Sequence, residues 1–221
     1  VSGYAMLANG GRRIKPTLID RIQDRYGQTI FRHDDRVCQG CDAPKWENQS
    51  EPRLIDKREQ VLDPLTAYQI TSIMEGVIQR GTGASIGVLK RHLAGKTGTT
   101  NEAKDLWFVG YSPDLVVGVY LGFDRPRSMG DSAQAATYAA PIFRDFMKVA
   151  LKDRPDVPFR VPPGIKLISV DVKSGMRSSG AGSFLEAFKP GTAPPDSYLD
   201  PNAKGGINSE AAIGTGTGGV Y

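Results

Sequence analysis

A helical pattern of apolar residues follows Asp63-Pro64. Asp63 can cap the free amides of a helix, Pro64 fits its first turn, and Gly81 ends the pattern. Within it, apolar residues recur at positions i, i+3, i+4, i+7 and i+8, which form one stripe along a helix. The members of this stripe are Ile70, Ile73, Met74, Val77 and Ile78. The pattern therefore predicts an amphipathic helix with this stripe as its apolar face.

A second helical pattern lies in residues 132–151. Its apolar side chains repeat the same spacing in Phe143, Phe146, Met147, Ala150 and Leu151. Pro141 has no backbone N–H to donate inside a helix, so it predicts either a kink or a late start of this helix.

Three extended segments separate the two predicted helices: residues 92–100, 105–111 and 115–123. Ser112, Pro113 and Asp114 join the last two segments, and so short a turn forces an antiparallel hairpin. The middle of the chain therefore has the order helix, strand, strand, strand, helix. Antiparallel strands with helices packed against them predict an α+β fold.

The regions on either side carry weaker patterns. Residues 1–9 predict the last turns of a helix that ends at two glycines, and 16–22 with 28–32 predict a β-hairpin with glycine in its turn. Residues 33–62 are rich in charge and predict a long surface insertion. One further strand is predicted at 165–172.

Composition excludes several classes of protein. The 221 residues include 28 Lys and Arg against 24 Asp and Glu, a net charge of +4, without a dense basic run. Binding to nucleic acid is therefore not expected. The longest nearly unbroken apolar run, 115–123, has about half of the roughly 20 residues that a membrane-spanning helix needs. Because the sequence opens inside a predicted helix, without Met or a basic leader, we expect a piece of a longer protein.

The only cysteines of the sequence, Cys38 and Cys41, are spaced as Cys-x-x-Cys. A structural zinc site needs four ligands, and a redox pair of this spacing lies between a strand and a helix, whereas this pair lies in a predicted loop. A local disulfide or two idle thiols are the favoured interpretation, with metal binding and redox chemistry as the alternatives. No metal and no cofactor are predicted.

The segment 94–100 contains the candidate functional residues. Lys96, two glycines and several hydroxyls replace the alternation of apolar and polar side chains that is expected of a half-buried strand. A strand places Lys96 and Gly98 on one face and Thr97 and Thr99 on the other. All four can serve a single ligand only at a sheet edge, where backbone groups can also bind an extended peptide. A lysine and hydroxyls suit a carboxylate, and free amides suit an oxyanion. The alternative is a glycine-rich turn with a solvated lysine.

The motif Lys96-Thr97-Gly98-Thr99-Thr100-Asn, followed by the segment Asp105–Tyr111, resembles the third active-site motif of the class A (bifunctional) penicillin-binding proteins. Four shorter stretches fit the same family: 3–11 with Lys15-Pro16, 79–83, 121–124 and 186–192. The resemblance covers about residues 1–195. It implies the penicilloyl-serine transferase, or β-lactamase-like, fold: an antiparallel sheet flanked by helices, with the Lys96 strand at its edge.

The same resemblance implies roles for individual residues. In this family a serine of a Ser-x-x-Lys motif attacks the penultimate D-alanine of a stem peptide. Lys96 and Thr97 would then hold the terminal carboxylate, and Thr99 would add its hydroxyl to that carboxylate and its amide to the oxyanion hole. Lys96 and Thr99 are the expected catalytic residues. The expected substrate-binding residues are Thr97, Gly98, Thr100 and Trp107, although a large aromatic such as Trp107 is also typical of a core.

The nucleophile is absent from the sequence. No serine has a lysine three positions later, and neither Ser-x-Asn nor Tyr-x-Asn occurs. We therefore expect residues 1–153 to be the C-terminal portion of a transpeptidase domain, 154–195 an extension and 196–221 a disordered tail. Such a piece would supply one wall of the site and be inactive alone. Its partners would be the upstream part of the same protein, stem peptides ending in D-Ala-D-Ala and β-lactam antibiotics.

The resemblance further implies an intact protein anchored in the inner membrane, with its domains on the periplasmic side and an additional glycosyltransferase domain. Two other functions remain open from the sequence. One is a hydrolase related to the serine β-lactamases, which share Lys-Thr-Gly. The other is a non-catalytic module that binds a peptide or partner through the exposed strand edge.

Overall fold

The computed structural model describes residues 1–34, 36–41, 43, 45, 47–48 and 53–195. The helices in these residues are α1 (Ser2–Ala8), α2 (Pro64–Arg80) and α3 (Ala139–Ala150), with short 3₁₀ helices at Ala84–Leu89 and Asn101–Ala103. The strands in the first part are β1 (Arg21–Gln23), β2 (Thr29–Arg32), β3 (Cys38–Gln39) and β4 (Arg53–Leu54). Those after α2 are β5 (Ala94–Thr99), β6 (Asp105–Tyr111), β7 (Val116–Gly122), β8 (Lys166–Asp171) and β9 (Ser183–Phe188).

The central sheet contains β5, β6 and β7 in that order, with both pairs antiparallel. Lys96 lies opposite Val109, and Gly98 lies opposite Trp107. In the described part of the chain, no strand pairs with the other side of β5. The three predicted strands and the hairpin between the last two are therefore confirmed, and β5 forms an edge of the sheet.

Helices cover both faces of this sheet. On one face, Phe108 is fully buried and its ring centroid lies 4.7 Å from that of Phe143 in α3. On the other face, Tyr111 is fully buried between Tyr4 of α1 and Phe159, with ring centroids 6.2 and 5.5 Å away. This arrangement confirms the predicted α+β layers.

The start and end of α2 agree with the predicted signals, and its buried face agrees with the predicted stripe only in part. The carboxylate of Asp63 accepts a 3.0 Å hydrogen bond from the amide of Thr66, which caps the helix. Ile70 and Ile73, predicted in the apolar stripe, are 38% and 55% exposed. Met74 and Ile78 of the stripe are buried as predicted, together with Ala67, Thr71 and Gly76, which lie outside it. The helix is rotated because small Ala67 fits the interface and the Thr71 hydroxyl bonds the Tyr111 hydroxyl at 2.9 Å.

The second predicted helix begins late, at Ala139, so Pro141 falls in its first turn, where a missing N–H costs nothing. Phe143 and Met147 are fully buried, as the stripe predicts. Phe146 is 51% exposed, so its assignment to the buried stripe is wrong. The sheet contacts a narrow side of α3, and Phe146 lies beyond that contact.

The remaining strands form small hairpins: β1 with β2, β3 with β4, and β8 with β9. The first confirms the predicted hairpin, and β8 confirms the predicted strand at 165–172. The sequence did not predict β9, which contacts α2 through a 2.9 Å hydrogen bond from the Gln69 side chain to Ala187 O. The predicted disordered tail lies outside the described residues.

Cys38 and Cys41 form a disulfide, which agrees with the favoured interpretation of this pair. The bond closes the short turn that follows β3. Among the helices of the described residues, none is both long enough and apolar enough to cross a bilayer. Nor do any three His, Cys, Asp or Glu side chains of these residues converge on a metal-binding arrangement.

Candidate active site

The unpaired side of β5 presents an alternating set of backbone groups. The amide of Thr100 donates to Asp105 O at 3.1 Å, so these two residues form a hydrogen-bonded pair next to the β5–β6 turn. Hydrogen-bonded and non-bonded pairs alternate along an antiparallel ladder, so Gly98 and Lys96 bond β6 through their backbones. The N–H and C=O groups of Thr97 and Thr99 therefore point away from β6. We call the stretch 96–99, with these outward groups, the 96–99 edge.

The ammonium group of Lys96 lies along this edge. Lys96 is half-buried, and its Nζ lies 3.4 Å from Thr97 O, one of the carbonyls that point away from β6. Its side chain leaves the strand on the face that it shares with Gly98, and then turns toward the open side. The positive charge is thus placed beside an outward carbonyl group of the edge.

Two hydroxyls on the opposite face are each held by a partner from another element. Thr97 Oγ1 lies 2.9 Å from Oγ1 of Thr82, in the turn after α2. Thr99 Oγ1 accepts a 3.1 Å hydrogen bond from the amide of Ala135, in the loop before α3. Because Thr99 accepts from Ala135, its own proton remains available to a ligand. The 96–99 edge thus combines one cation, two oriented hydroxyls and two outward amides.

The other predicted site residues occupy distinct positions. The Thr100 hydroxyl accepts a 2.8 Å hydrogen bond from the amide of Asp105, so it closes the β5–β6 turn. Trp107 lies opposite Gly98 and is 40% exposed, whereas its neighbour Phe108 is fully buried. Of the two adjacent aromatics, Phe108 therefore belongs to the core. Trp107 remains accessible because Gly98 has no side chain to cover it.

A polar network supports the exposed Trp107. Its ring centroid lies 4.6 Å from that of Tyr120 on β7. The Tyr120 hydroxyl donates a 2.8 Å hydrogen bond to Oδ1 of Asp105, and this bond raises the pKa of Tyr120 because ionisation would remove the proton from it. Tyr120 therefore stays protonated near neutral pH, and its ring packs against Trp107 beside the 96–99 edge.

His92 lies apart from this edge. Its Nδ1 is 3.4 Å from Oε1 of Glu75 and its Nε2 is 4.0 Å from Oδ2 of Asp156. Burial raises the pKa of Glu75, although the nearby imidazole opposes the shift. No serine or cysteine takes part in these contacts of His92 in the described residues, so they do not form a nucleophilic triad.

The 96–99 edge is a wall and not a closed cavity. Four cavities in the described part of the chain lie elsewhere, and Lys96, Thr97, Gly98 and Thr99 line none of these four. The edge can bind an extended chain by β-addition and hold an anionic terminus at Lys96.

The sequence placed Thr82 in the stretch 79–83 that fits the family but gave its hydroxyl no role at this edge, and it did not predict the contribution of the Ala135 amide. Thr82 is 15 residues from Thr97 and Ala135 is 36 residues from Thr99, so neither contact follows from local pattern. The available signal for Thr82 was its place between Gly81 and Gly83, which marks a tight turn. Ala135 contributes only backbone and leaves no signal in the sequence.

Known proteins are similar to this chain in sequence and in fold. A family model described as the penicillin binding protein transpeptidase domain matches residues 1–148. The chain is 44% identical over 190 residues to penicillin-binding protein 1A of Rickettsia conorii, which covers 85% of this chain and 24% of the relative. It is 34% identical over 224 residues to penicillin-binding protein 1A of Pseudomonas aeruginosa, covering 87% and 27% of the two chains. The crystal structure of penicillin-binding protein 1A from Haemophilus influenzae matches with a TM-score of 0.71 at 30% identity, covering 90% of this chain and 32% of that one.

The family model matches more than half of this chain, and the chain therefore belongs to the penicillin-binding protein transpeptidase family. The resemblance inferred from the Lys96 motif is thereby confirmed. So is the expected fold, since the matching crystal structure has the same arrangement over 90% of this chain. The chain spans about a quarter of the length of the curated relatives that it matches.

Proposed function

We propose that this chain forms the Lys-Thr-Gly wall of a D,D-transpeptidase active site within a longer, bifunctional protein. The observation that carries the proposal is the 96–99 edge, where Lys96 Nζ lies 3.4 Å from an outward carbonyl of the same strand. An extended peptide that ends in a carboxylate is complementary to this edge in both charge and backbone hydrogen bonding. Family membership supports the reaction class.

The proposed chemistry assigns one task to each group. Lys96 attracts the terminal D-alanine carboxylate, and the Thr97 and Thr99 hydroxyls donate to it. The outward Thr99 amide stabilises the negative charge that develops on the penultimate carbonyl oxygen, as an oxyanion-hole donor does. Gly98 allows the peptide backbone to lie flat, Trp107 contacts the substrate beside it, and Thr100 keeps the turn in place.

The covalent step requires a serine from the part of the protein outside this chain. Its oxygen bonds the penultimate D-alanine carbonyl carbon, the peptide bond breaks, and terminal D-alanine leaves with the proton on its amine. An amine of a neighbouring stem peptide then displaces the serine and forms the cross-link. The sequence contains no Ser-x-x-Lys motif, and accordingly this chain alone is expected to be inactive.

The organisation and location of the intact protein belong to the same proposal. Residues 1–153 would be the C-terminal portion of the transpeptidase domain, 154–195 an extension packed on α2, and 196–221 a disordered tail. The intact protein would be anchored in the inner membrane, face the periplasm and carry a glycosyltransferase domain. Its partners would be stem peptides ending in D-Ala-D-Ala and β-lactam antibiotics, with no cofactor.

Labelling of the intact protein with a fluorescent penicillin tests this function. We expect one covalently labelled serine, outside this chain, and release of the label over many minutes, because the acyl-enzyme awaits an amine. Rapid turnover of the penicillin would instead indicate a serine β-lactamase-related hydrolase. Absence of labelling, together with tight binding of stem peptide by this chain alone, would indicate a non-catalytic binding module.

A further inference from the structure

The hydroxyl of Thr82 lies beside the 96–99 edge although it belongs to a different element. Thr82 is in the turn between α2 and the 3₁₀ helix Ala84–Leu89, and its Oγ1 is 2.9 Å from Oγ1 of Thr97. Thr82 is exposed, and within the described ranges its side chain has no second hydrogen-bond partner. An exposed hydroxyl that is held against a binding residue points to a role in the site.

The turn that carries Thr82 is fixed on both sides. The amides of Gly81 and Gly83 both donate to Val77 O, at 3.1 and 3.0 Å. A Cβ on Gly81 would lie 2.9 Å from Val77 Cα, so the turn fits tightly against the last turn of α2. After the turn, Ile86 is fully buried in the same core as Phe143. The position of the Thr82 hydroxyl is therefore set by packing before any ligand arrives.

The direction of this hydrogen bond matters for binding. A threonine hydroxyl has one proton and two lone pairs, so only one of the two residues donates to the other. When an anion binds Thr97, the Thr97 proton must point to the anion, and Thr82 must then be the donor. A hydroxyl that already accepts a hydrogen bond is also a stronger donor.

We propose that Thr82 is a positioning residue that donates to Thr97 and thereby directs the Thr97 proton to the terminal carboxylate of the substrate. The inference rests on the proposed function, because it requires a carboxylate at Thr97. It adds to that function a residue that selects substrates with a free carboxylate over neutral analogues. Thr82 acts through Thr97 and does not touch the substrate.

The test compares acylation of the intact protein by a penicillin and by its methyl ester. Thr82→Val keeps the shape of the side chain and removes the hydroxyl. We expect it to lower the acylation rate constant for the free acid by about three- to tenfold. The rate constant for the ester should stay unchanged, because the ester presents no charged acceptor to Thr97. Thr82→Ser should restore most of the rate with the acid, and Thr29→Val on β2 is the matched control, expected to alter neither rate.

A double-mutant cycle separates action through Thr97 from independent action. In a Thr97→Val background, Thr82→Val should have no further effect on the acid. Three results would each overturn the inference. They are an equal loss of acylation rate with acid and ester, additive losses of rate in the double-mutant cycle, and an unchanged rate with the acid in Thr82→Val. Those outcomes leave the proposed function intact, since it fails when the wild-type protein is not acylated by penicillin or when it turns penicillin over rapidly.

Discussion

Replacement of Lys96 by alanine is expected to lower the acylation rate constant of the intact protein with penicillin by about 10²- to 10³-fold, the usual loss for removal of one preorganised electrostatic contact. The ammonium lies 3.4 Å from the outward carbonyl oxygen of Thr97, on the edge where the substrate carboxylate would bind. Without it, the carboxylate loses its opposite charge and the hydroxyls alone orient the substrate. Stopped-flow or gel-based acylation kinetics measure the effect.

The thermal unfolding midpoint should hardly change in the same variant. Lys96 is half-buried at the sheet edge and is not a member of either buried core cluster. Lys148→Ala on the exposed side of α3 is the matched control and should acylate at the wild-type rate. A loss of stability that parallels the loss of acylation would identify Lys96 as a structural residue and contradict its proposed role.

Alanine at Gly95 should lower the stability of the fold, whereas alanine at Gly98 should lower the acylation rate and leave stability unchanged. A Cβ at Gly95 would lie 2.8 Å from Cζ of Phe108 and 3.0 Å from Cα of Gly110. The Phe108 ring cannot move away because it is fully buried against Phe143. We therefore expect Gly95→Ala to lower the unfolding midpoint by several degrees, which corresponds to about 1–3 kcal/mol of stability.

At Gly98 the structure has room for the same change. The nearest atom to an added Cβ is Trp107 Cβ at 3.4 Å, an ordinary contact. Gly98→Ala should therefore keep the wild-type unfolding midpoint, but the methyl group should displace a substrate that lies flat on the strand. We expect acylation to fall by about 10- to 100-fold, as for a reactant moved by roughly 1 Å. Normal acylation in Gly98→Ala would show that no substrate passes over this position.

The elements around the site could be predicted where local chemistry decides them. Asp63, Pro64 and Gly81 mark the ends of α2 through capping and backbone geometry, which act over a few residues. The short Ser112–Asp114 turn likewise fixes the β6–β7 hairpin. The residues around Lys96 left a glycine-rich turn open, and the family resemblance of their motif implied the edge strand. All these signals are contained in a few consecutive residues.

Features that depend on distant packing could not be predicted. The sequence 106–109, Leu-Trp-Phe-Val, is apolar on both faces of its strand, so nothing local decides that Phe108 is buried while Trp107 is exposed. That choice is made by Phe143 of α3. Similarly, the apolar stripe of α2 does not show that Ala67 and Thr71 are buried, since this depends on the contact between the Thr71 and Tyr111 hydroxyls.

Residue-resolved amide hydrogen exchange in the intact protein, free and after acylation by penicillin, is the most direct test of β5 as a binding edge. Among the residues that the structure describes, the ladder register leaves the amides of Thr97 and Thr99 without a strand partner and pairs those of Lys96 and Gly98 with β6. We predict that acylation slows exchange at Thr97 and Thr99 and leaves Lys96 and Gly98 unchanged. The proposed site would be contradicted if the amides of Thr97 and Thr99 already exchange slowly in the free protein. It would also be contradicted if acylation leaves their exchange unaffected.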